Sequence, residues 1–221
     1  PFTMELVRRK LEEAGLLGEI ELHEIEEDHG SFQLGPFEVT YIPLAHSIAE
    51  GNALLIDTPH GKIFHTGDWK LDPEPVVGTA YPEQRLRSVG SEQMLAMVCD
   101  STNVVAPGQS GSEGDILHSM AEVIAACSGR VAVACFATNV ARLETIARAA
   151  AETGREVVLA GRSLWRIQSA ARENGYLADI PPFLAEEDAN NLPDDKVLII
   201  CTGSQGEPRA ALSRIAAGDH P

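Results

Sequence analysis

Hydrophobic and polar residues alternate along several stretches of the first hundred residues, which is the period of half-buried β-strands. Residues 32–34 and 37–41 flank a Gly-Pro turn, and residues 53–57 and 62–66 flank the turn sequence Thr-Pro-His-Gly. The uninterrupted apolar run 95–99 follows them. The pattern predicts a β-rich first segment that contains two hairpins and ends with an apolar strand.

A helical period appears near the start of the chain and again beyond Gly114. Thr3 precedes an apolar pattern with helical spacing, which predicts an N-capped helix that ends near Gly15. After Gly114, predicted helices alternate with short β-branched strands. The helices are expected at 115–127, 140–153 and 164–174, and the strands at 131–135, 156–160 and 196–201. Such alternation is typical of a parallel sheet flanked by helices, so the predicted fold class is α/β.

A domain boundary is expected near residues 107–114, because this stretch is too rich in glycine and serine to form core. We therefore predict one domain at 1–109 and a second at 110–221. With 44% hydrophobic residues, the chain can bury a sizeable core. It has no run of about 18 or more apolar residues and no signal peptide, so the expected setting is the cytoplasm, without a membrane partner.

The net charge of −16 argues against a protein that coats nucleic acid nonspecifically. Residues 130–172 carry the opposite charge: they contain seven arginines and three glutamates, which give a net charge of +4. They form either a local phosphate-binding track or solvated helix faces. The cysteines form no CxxC pair and are expected to be reduced, buried core thiols. They are Cys99, Cys127, Cys135 and Cys201.

Two short stretches place metal-binding side chains just after predicted strands. His46 follows the strand 37–42 in a loop with Ser47, and Asp68 follows an apolar strand that ends at Gly67. Zinc binds imidazole and carboxylate groups, and one carboxylate can bridge two cations. Taken by itself, His46 is better explained as a surface or satisfied histidine, and Asp68 as a turn aspartate. The metal hypothesis therefore depends on the two stretches together.

Several motifs resemble those of a known family. His-Ser-Ile-Ala-Glu at 46–50 and Thr-Gly-Asp-Trp-Lys-Leu-Asp at 66–72 look like the third and fourth metal motifs of metallo-β-lactamase-fold nucleases. Asp-Ser-Thr-Asn at 100–103 and Thr-Gly-Ser-Gln-Gly-Glu-Pro at 202–208 resemble the β-CASP domain of the ribonuclease J group. The resemblance implies part of a metallo-β-lactamase αββα sandwich, at 1–109, with an inserted β-CASP α/β domain, at 110–221, that is incomplete at its C-terminal end.

By this resemblance, His46 ligates one zinc ion and Asp68 bridges two, with manganese or magnesium as alternative metals. Both would be catalytic in hydrolysing RNA phosphodiester bonds, as a 5′–3′ exonuclease that also cuts internally. The resemblance does not make His65 a metal ligand; strand alternation places it on the face opposite Phe64, which leaves support of the site as one alternative for it. The resemblance also implies RNA as a partner and a homodimer or homotetramer as the assembly.

The family's upstream HxHxDH motif is absent, since no two histidines here stand two residues apart. Two ligands do not fill a dinuclear zinc site, so this chain alone is expected to be inactive. The abrupt ends favour missing ligands that lie outside these 221 residues. The alternatives are a catalytically inactive RNA-binding or assembly subunit and another hydrolase of the metallo-β-lactamase fold.

Contacts with RNA are implied in the loops that follow the parallel strands, because ligands gather at the carboxyl ends of such strands. Many relatives carry a histidine in the first of these loops, where this chain has Ala141 and Arg142. The alternatives are helix capping for Thr138 and Asn139 and an Asx turn for Asp100. The implied RNA-contacting residues are Asp100, Ser101, Asn103, Thr138, Asn139, Arg142, Arg162, Ser163, Ser204 and Gln205.

Overall fold

The computed structural model describes residues 1–25 and 30–220. The chain forms two compact units, Pro1–Ser112 and Glu113–Pro221. The division lies within the glycine- and serine-rich stretch 107–114. Both units combine helices with a sheet, which confirms the predicted α/β class.

The first unit is built around a five-stranded sheet with the strand order β1-β2-β3-β4-β5. Its strands are β1 (Ser31–Leu34), β2 (Phe37–Pro43), β3 (Asn52–Thr58), β4 (Gly61–His65) and β5 (Met94–Val98). The strands β1 to β4 pair antiparallel, which confirms the two predicted hairpins, whereas β5 pairs parallel to β4. Two helices accompany the sheet, α1 (Phe2–Glu13) and α2 (Glu83–Ser91).

The start of α1 differs from the prediction. The helix begins at Phe2, with Pro1 at the N-cap and no side-chain cap, so the predicted Thr3 cap is wrong. The carboxylate of Glu50 replaces it, accepting hydrogen bonds from the N–H groups of Phe2 at 3.1 Å and Thr3 at 3.4 Å. A carboxylate satisfies the unpaired N–H groups of a helix start and complements the helix dipole there.

One face of the sheet in the first unit packs against α2. Ile42, Leu44, Ala53 and Leu55 are buried with Val89 of that helix. The apolar strand β5 is different, since Leu95 is 60% exposed and Met97 58% exposed. An edge strand has only one hydrogen-bonded neighbour, and the described residues leave much of β5 uncovered.

The second unit contains a three-stranded parallel sheet with the order β6-β8-β7. Its strands are β6 (Val131–Ala134), β7 (Glu156–Ala160) and β8 (Val197–Cys201), and its helices are α3 (Ile116–Ala125), α4 (Val140–Glu152), α5 (Arg162–Glu173) and α6 (Ala211–Ala217). Two 3-10 turns, Glu186–Asn191 and Asp194–Lys196, precede β8. The predicted alternation of helices with parallel strands is confirmed.

No helix among the described residues has the length and apolar character needed to cross a bilayer.

The prediction of four buried cysteines is wrong for two of them. Cys135 and Cys201 are buried at the ends of β6 and β8, whereas Cys99 and Cys127 are exposed. Cys99 follows the exposed edge strand β5, and Cys127 follows the end of α3. All four are free thiols. Burial raises the pKa of the Cys135 thiol to about 12, so this thiol stays protonated at neutral pH.

Candidate functional site

The carboxyl ends of β4 and β5 place Asp68 and Asp100 in neighbouring loops. The two strands are parallel, so both loops leave the same edge of the sheet. The Thr66 N–H donates to the Val98 carbonyl at 3.0 Å, and the Thr66 hydroxyl accepts from the Asp100 N–H at 3.1 Å. The Trp69 indole N–H donates to the Asp100 carbonyl at 3.3 Å. These bonds fasten the Asp68 loop to the Asp100 loop.

A backbone bridge brings the His46 loop to the same place. Ala45 and Lys70 form an isolated antiparallel bridge, in which the Lys70 N–H donates to the Ala45 carbonyl at 2.8 Å. His46 follows Ala45, and Asp68 stands two residues before Lys70. The structure therefore brings the two predicted metal-binding loops side by side.

The carboxyl of Asp100 lies close enough to His46 to interact with it electrostatically. Hydrogen bonds from the hydroxyl and N–H of Thr102 are the main cause that holds the pKa of Asp100 below its ordinary value, and His46 adds a smaller effect in the same direction. The bonds to Thr102 are 2.5 and 2.9 Å long and form the Asx turn that was the alternative for Asp100. The side chains of Ser101 and Asn103 in this turn region are exposed.

His46 and Asp68 both present polar atoms that make no hydrogen bond with the residues that the structure describes. The His46 Nδ1 atom lies 3.2 Å from the Ser47 hydroxyl, while its Nε2 atom has no hydrogen-bond partner among residues 1–25 and 30–220. The exposed Asp68 carboxylate likewise has none in that part of the chain. An imidazole nitrogen and a carboxylate of this kind fit a zinc or manganese ion chemically. Within the described residues, however, no group of three or more such side chains is arranged to hold a metal.

Sequence reasoning did not identify Thr66, which is 1% exposed and binds both loops of this site. A hydroxyl residue directly after an apolar strand and before Gly-Asp was the available signal. Its partner, the Asp100 N–H, is 34 residues away along the chain. A contact at that separation cannot be derived from local sequence alone.

The second unit gathers three predicted RNA-contacting loops at one edge of its sheet. Ala134, Cys201 and Ala160 form one row across β6, β8 and β7. Because the strands are parallel, the chain leaves each of them at the same level. The segments that follow are the loop 135–139 after β6, Gly161 and the first turn of α5 after β7, and the loop 202–205 after β8.

In the loop after β6, two predicted contacts are already bonded to the chain itself. The Asn139 side-chain oxygen accepts from the Arg142 N–H at 2.9 Å and caps α4, which was the alternative for this residue. The Arg142 guanidinium forms a two-bond ion pair with Glu113 at 2.5 and 3.0 Å. This ion pair uses the Nε and Nη2 atoms of Arg142 and neutralises its charge. Thr138 lies exposed beside them.

The loop after β7 leads into α5 with an exposed arginine. Arg162 is the first residue of α5, and Ser163 beside it is half-buried. The Gly161 N–H donates to the Glu186 carboxylate at 3.1 Å, and the other oxygen of this carboxylate lies 3.3 Å from the His220 ring. A carboxylate therefore already occupies the N–H group nearest the start of this helix.

The loop after β8 carries Ser204 and Gln205, which are both exposed. Gly203 before them has a φ of 117°, and a Cβ atom there would stand 2.9 Å from the Cβ atoms of Ala210 and Leu212. Only glycine fits this approach of the loop to α6. The Gln205 N–H donates to the Glu207 carboxylate at 3.1 Å.

Most arginines between residues 130 and 172 are bonded to other groups of the second unit. The acidic partners of Arg130, Arg142 and Arg148 are Asp194, Glu113 and Glu144. Arg155 is 7% exposed and donates to three backbone carbonyls. Arg172 also donates to three backbone carbonyls. The segment is therefore neither a free basic track nor a set of simply solvated helix faces.

Comparison with known proteins identifies the family. Residues 128–221 match the family model described as ribonuclease J, beta-CASP domain. The chain is 48% identical to a ribonuclease J of Sinorhizobium meliloti over 83% of its length, and 39% identical to that of Thermus thermophilus over 99%. It is 40% identical to ribonuclease J 1 of Streptococcus pyogenes over its whole length. The chain belongs to the β-CASP group of the metallo-β-lactamase superfamily, and within that group it is ribonuclease J-like.

The chain spans 32%, 38% and 39% of the length of these three relatives. It also resembles a solved structure, described as a protein of unknown function from Enterococcus faecalis, with a TM-score of 0.57 at 17% identity. That match covers 81% of this chain and 44% of the other. At this identity it supports the fold alone.

Proposed function

We propose that this chain supplies part of the metal centre and part of the RNA-binding surface of a zinc-dependent ribonuclease. The reaction is hydrolysis of RNA phosphodiester bonds, from the 5′ end and also internally. The Ala45–Lys70 bridge carries the proposal, because it sets the His46 loop beside the Asp68 loop. The relatives named ribonuclease J support it.

In this proposal, the Nε2 atom of His46 and the Asp68 carboxylate are metal ligands. Bound divalent cations would supply an activated water and neutralise charge on the phosphate. The Ser47 hydroxyl, 3.2 Å from Nδ1, orients the His46 ring so that Nε2 is presented. The Asp100 carboxylate adds negative charge beside His46, which favours a cation there.

The proposed RNA contacts lie at the edge of the second unit. The exposed side chains of Thr138, Arg162, Ser204 and Gln205 follow the carboxyl ends of its parallel strands. Hydroxyl, amide and guanidinium groups bind phosphate oxygens and fix the position of a strand without reading its sequence. The cytoplasm as the setting and a homodimer or homotetramer as the assembly stay predictions.

The proposal predicts that Asp68→Ala abolishes ribonuclease activity. The variant and the wild type would be compared as the whole natural protein, loaded with zinc or manganese, on RNA labelled at a 5′-monophosphate end. We expect activity to fall by more than about 100-fold. Mutation of residues that only support metal ligands already lowers activity or metal affinity about 10–100-fold, and Asp68 is proposed to bind the metal directly.

Asp57→Ala is the control, since it removes a half-exposed carboxylate of the same unit that pairs with Lys62, and we expect it to retain activity. Release of nucleotides at the wild-type rate by Asp68→Ala would contradict the proposal. So would a metal-loaded wild type that releases none.

A second function is favoured by one observation: within the described residues, no group of three or more potential metal ligands is arranged to hold a metal. A catalytically inactive RNA-binding subunit would not need one. It predicts that the whole protein binds RNA equally well with and without a chelator, and that Asp68→Ala changes nothing. Metal-dependent cleavage would exclude this function.

A further inference from the structure

Both peptide groups of Gly67 are held by the side chains of the two residues before it. The Gly67 N–H donates to the Nδ1 atom of His65 at 3.0 Å. The Gly67 carbonyl accepts from the Thr66 hydroxyl at 2.8 Å. Gly67 itself has a φ of 60°, in the left-handed region, and a Cβ atom there would stand 3.2 Å from the Asn52 carbonyl.

These two hydrogen bonds fix the direction in which the chain enters Asp68. The Gly67 N–H belongs to the peptide plane before the turn, and its carbonyl belongs to the plane that joins Gly67 to Asp68. With both planes held, the left-handed turn has little freedom to rotate. The Thr66 hydroxyl is in turn held by the Asp100 N–H.

The contact of His65 with Gly67 has the geometry of an Asx turn, in which a side-chain acceptor binds the N–H two residues ahead. The His65 ring is exposed at the end of β4. The bond to Gly67 is the one hydrogen bond it makes with the residues that the structure describes. Because Nδ1 accepts this bond, the neutral ring carries its proton on Nε2. His65 therefore shapes this loop without contributing to a core.

We propose that His65 is a positioning residue, which aims the Asp68 carboxylate at a metal ion by holding the turn at Gly67. His65 does not itself bind the metal. The inference rests on the proposed function, in which Asp68 is a ligand. A ligand loop that is fixed before metal arrives binds more tightly, because less conformational freedom is lost on binding.

The test compares His65→Leu, which removes the acceptor, with His65→Asn, whose side-chain oxygen stands near the position of Nδ1 and can form the same turn. The first readout is hydrogen exchange at the Gly67 amide, measured by NMR without metal. We expect roughly two- to tenfold faster exchange in His65→Leu and an unchanged rate in His65→Asn, because one hydrogen bond is lost in the first and kept in the second.

The second readout is the dissociation constant for manganese, measured calorimetrically on the whole natural protein. We expect His65→Leu to weaken binding about 10–100-fold, which is typical of lost support for a ligand, and His65→Asn to restore binding to within about threefold. Since the ring is exposed, both variants should keep the thermal midpoint of the wild type.

Asp68→Ala separates the two proposals. If it loses manganese while His65→Leu binds normally, or if His65→Asn is as weak as His65→Leu, the positioning role is wrong and the proposed function stands. An unchanged Gly67 exchange rate in His65→Leu also overturns the positioning role. If Asp68→Ala binds manganese as the wild type does, the proposed function fails, and the role of His65 fails with it.

Discussion

Single side chains determine the local structure at several points. Whether the sequence can predict such a contact depends on how many residues separate the side chain from the group that it binds. Asn139 caps the helix that begins at the next residue, and its type and position predict that alternative. The cap of α1 comes from Glu50, more than 40 residues away, and the prediction of Thr3 was therefore wrong. Capping by a neighbour is a local property, whereas capping by a distant carboxylate depends on the tertiary fold.

Gly203 offers a residue-scale prediction about the loop that follows β8. In Gly203→Ala, the added methyl group meets two Cβ atoms at 2.9 Å, and alanine is strained at a φ of 117°. We expect a loss of about 2–4 kcal/mol in the free energy of unfolding, combining overpacking with backbone strain. Urea unfolding followed by circular dichroism measures it.

Two other glycines serve as controls for this loss. Gly206 has a φ of 76° and open space around it, so Gly206→Ala should cost only the backbone strain, about 1 kcal/mol. Gly129 has open space and no positive φ, and Gly129→Ala should be neutral within about 0.5 kcal/mol. Equal stability of the Gly203 and Gly206 variants would show that the contacts with α6 do not matter.

At the scale of elements, the strands and most helices follow from the period of their apolar residues. The helix α2 was not predicted, because only two of its nine residues, Leu86 and Val89, are large and apolar. Two such residues are too few to give a recognisable apolar helix face in the sequence. Val89 is nevertheless buried against the sheet, and Leu86 packs beside it. Two apolar residues three apart suffice when a sheet is already present to receive them, and a sequence window does not contain the sheet.

In the candidate site, too, part of the arrangement could be predicted from local sequence and part depends on the tertiary fold. The motifs predicted which loops carry His46 and Asp68, since both follow apolar strands. The Ala45–Lys70 bridge, which brings these loops together, joins backbone groups whose side chains carry no sign of it. Backbone pairing outside regular strands depends on the path of both loops, so this part of the site had to come from the structure.

Arg155 joins several elements at the amino end of the parallel sheet. Its buried guanidinium donates to the carbonyls of Cys127 after α3, Gly129 before β6 and Val197 in β8. We expect Arg155→Lys to lose about 2–4 kcal/mol of unfolding free energy, because an ammonium cannot reach all three carbonyls and leaves buried acceptors unpaired. Denaturant unfolding of the chain measures this loss.

Arg148→Lys is the control for Arg155→Lys. Arg148 forms a partly exposed ion pair with Glu144 one helical turn away, and such pairs contribute about 0.3–0.5 kcal/mol. Its replacement should therefore hardly change stability. Similar losses in the two variants would contradict a special role for the buried guanidinium.

At the scale of the whole molecule, charge restricts how the proposed RNA substrate could be bound. The chain carries a net charge of −16, and many of the arginines between residues 130 and 172 are bonded to its own groups. Arg162 is exposed at the edge where three loops meet. The proposed function therefore requires RNA binding through a few well-placed cations rather than through a broad positive surface.

Arg162→Gln tests this account through the salt dependence of RNA binding. Each phosphate contact with single-stranded RNA contributes about 0.7 to the slope of log K against log salt concentration. We expect the variant of the whole protein to lower the slope by about that amount, whereas Arg148→Gln should not, because Glu144 already neutralises that arginine. Fluorescence anisotropy at several salt concentrations measures both slopes, and equal slopes for wild type and Arg162→Gln would contradict the contact.

The strand order β6-β8-β7 gives the loops at this edge unequal freedom to vary. Among the residues that the structure describes, the loop after β6 leaves an outer strand, whereas the loop after β8 leaves the middle strand and has a neighbouring loop on each side. The loop after β7 is also confined, because β7 is bridged to Leu184 on its other side and the Gly161 N–H is bonded to Glu186. Insertions therefore displace the fewest neighbouring groups in the loop after β6. In the proposed function, a change of substrate preference is therefore most easily accommodated in the loop after β6, with the central loop as the fixed reference.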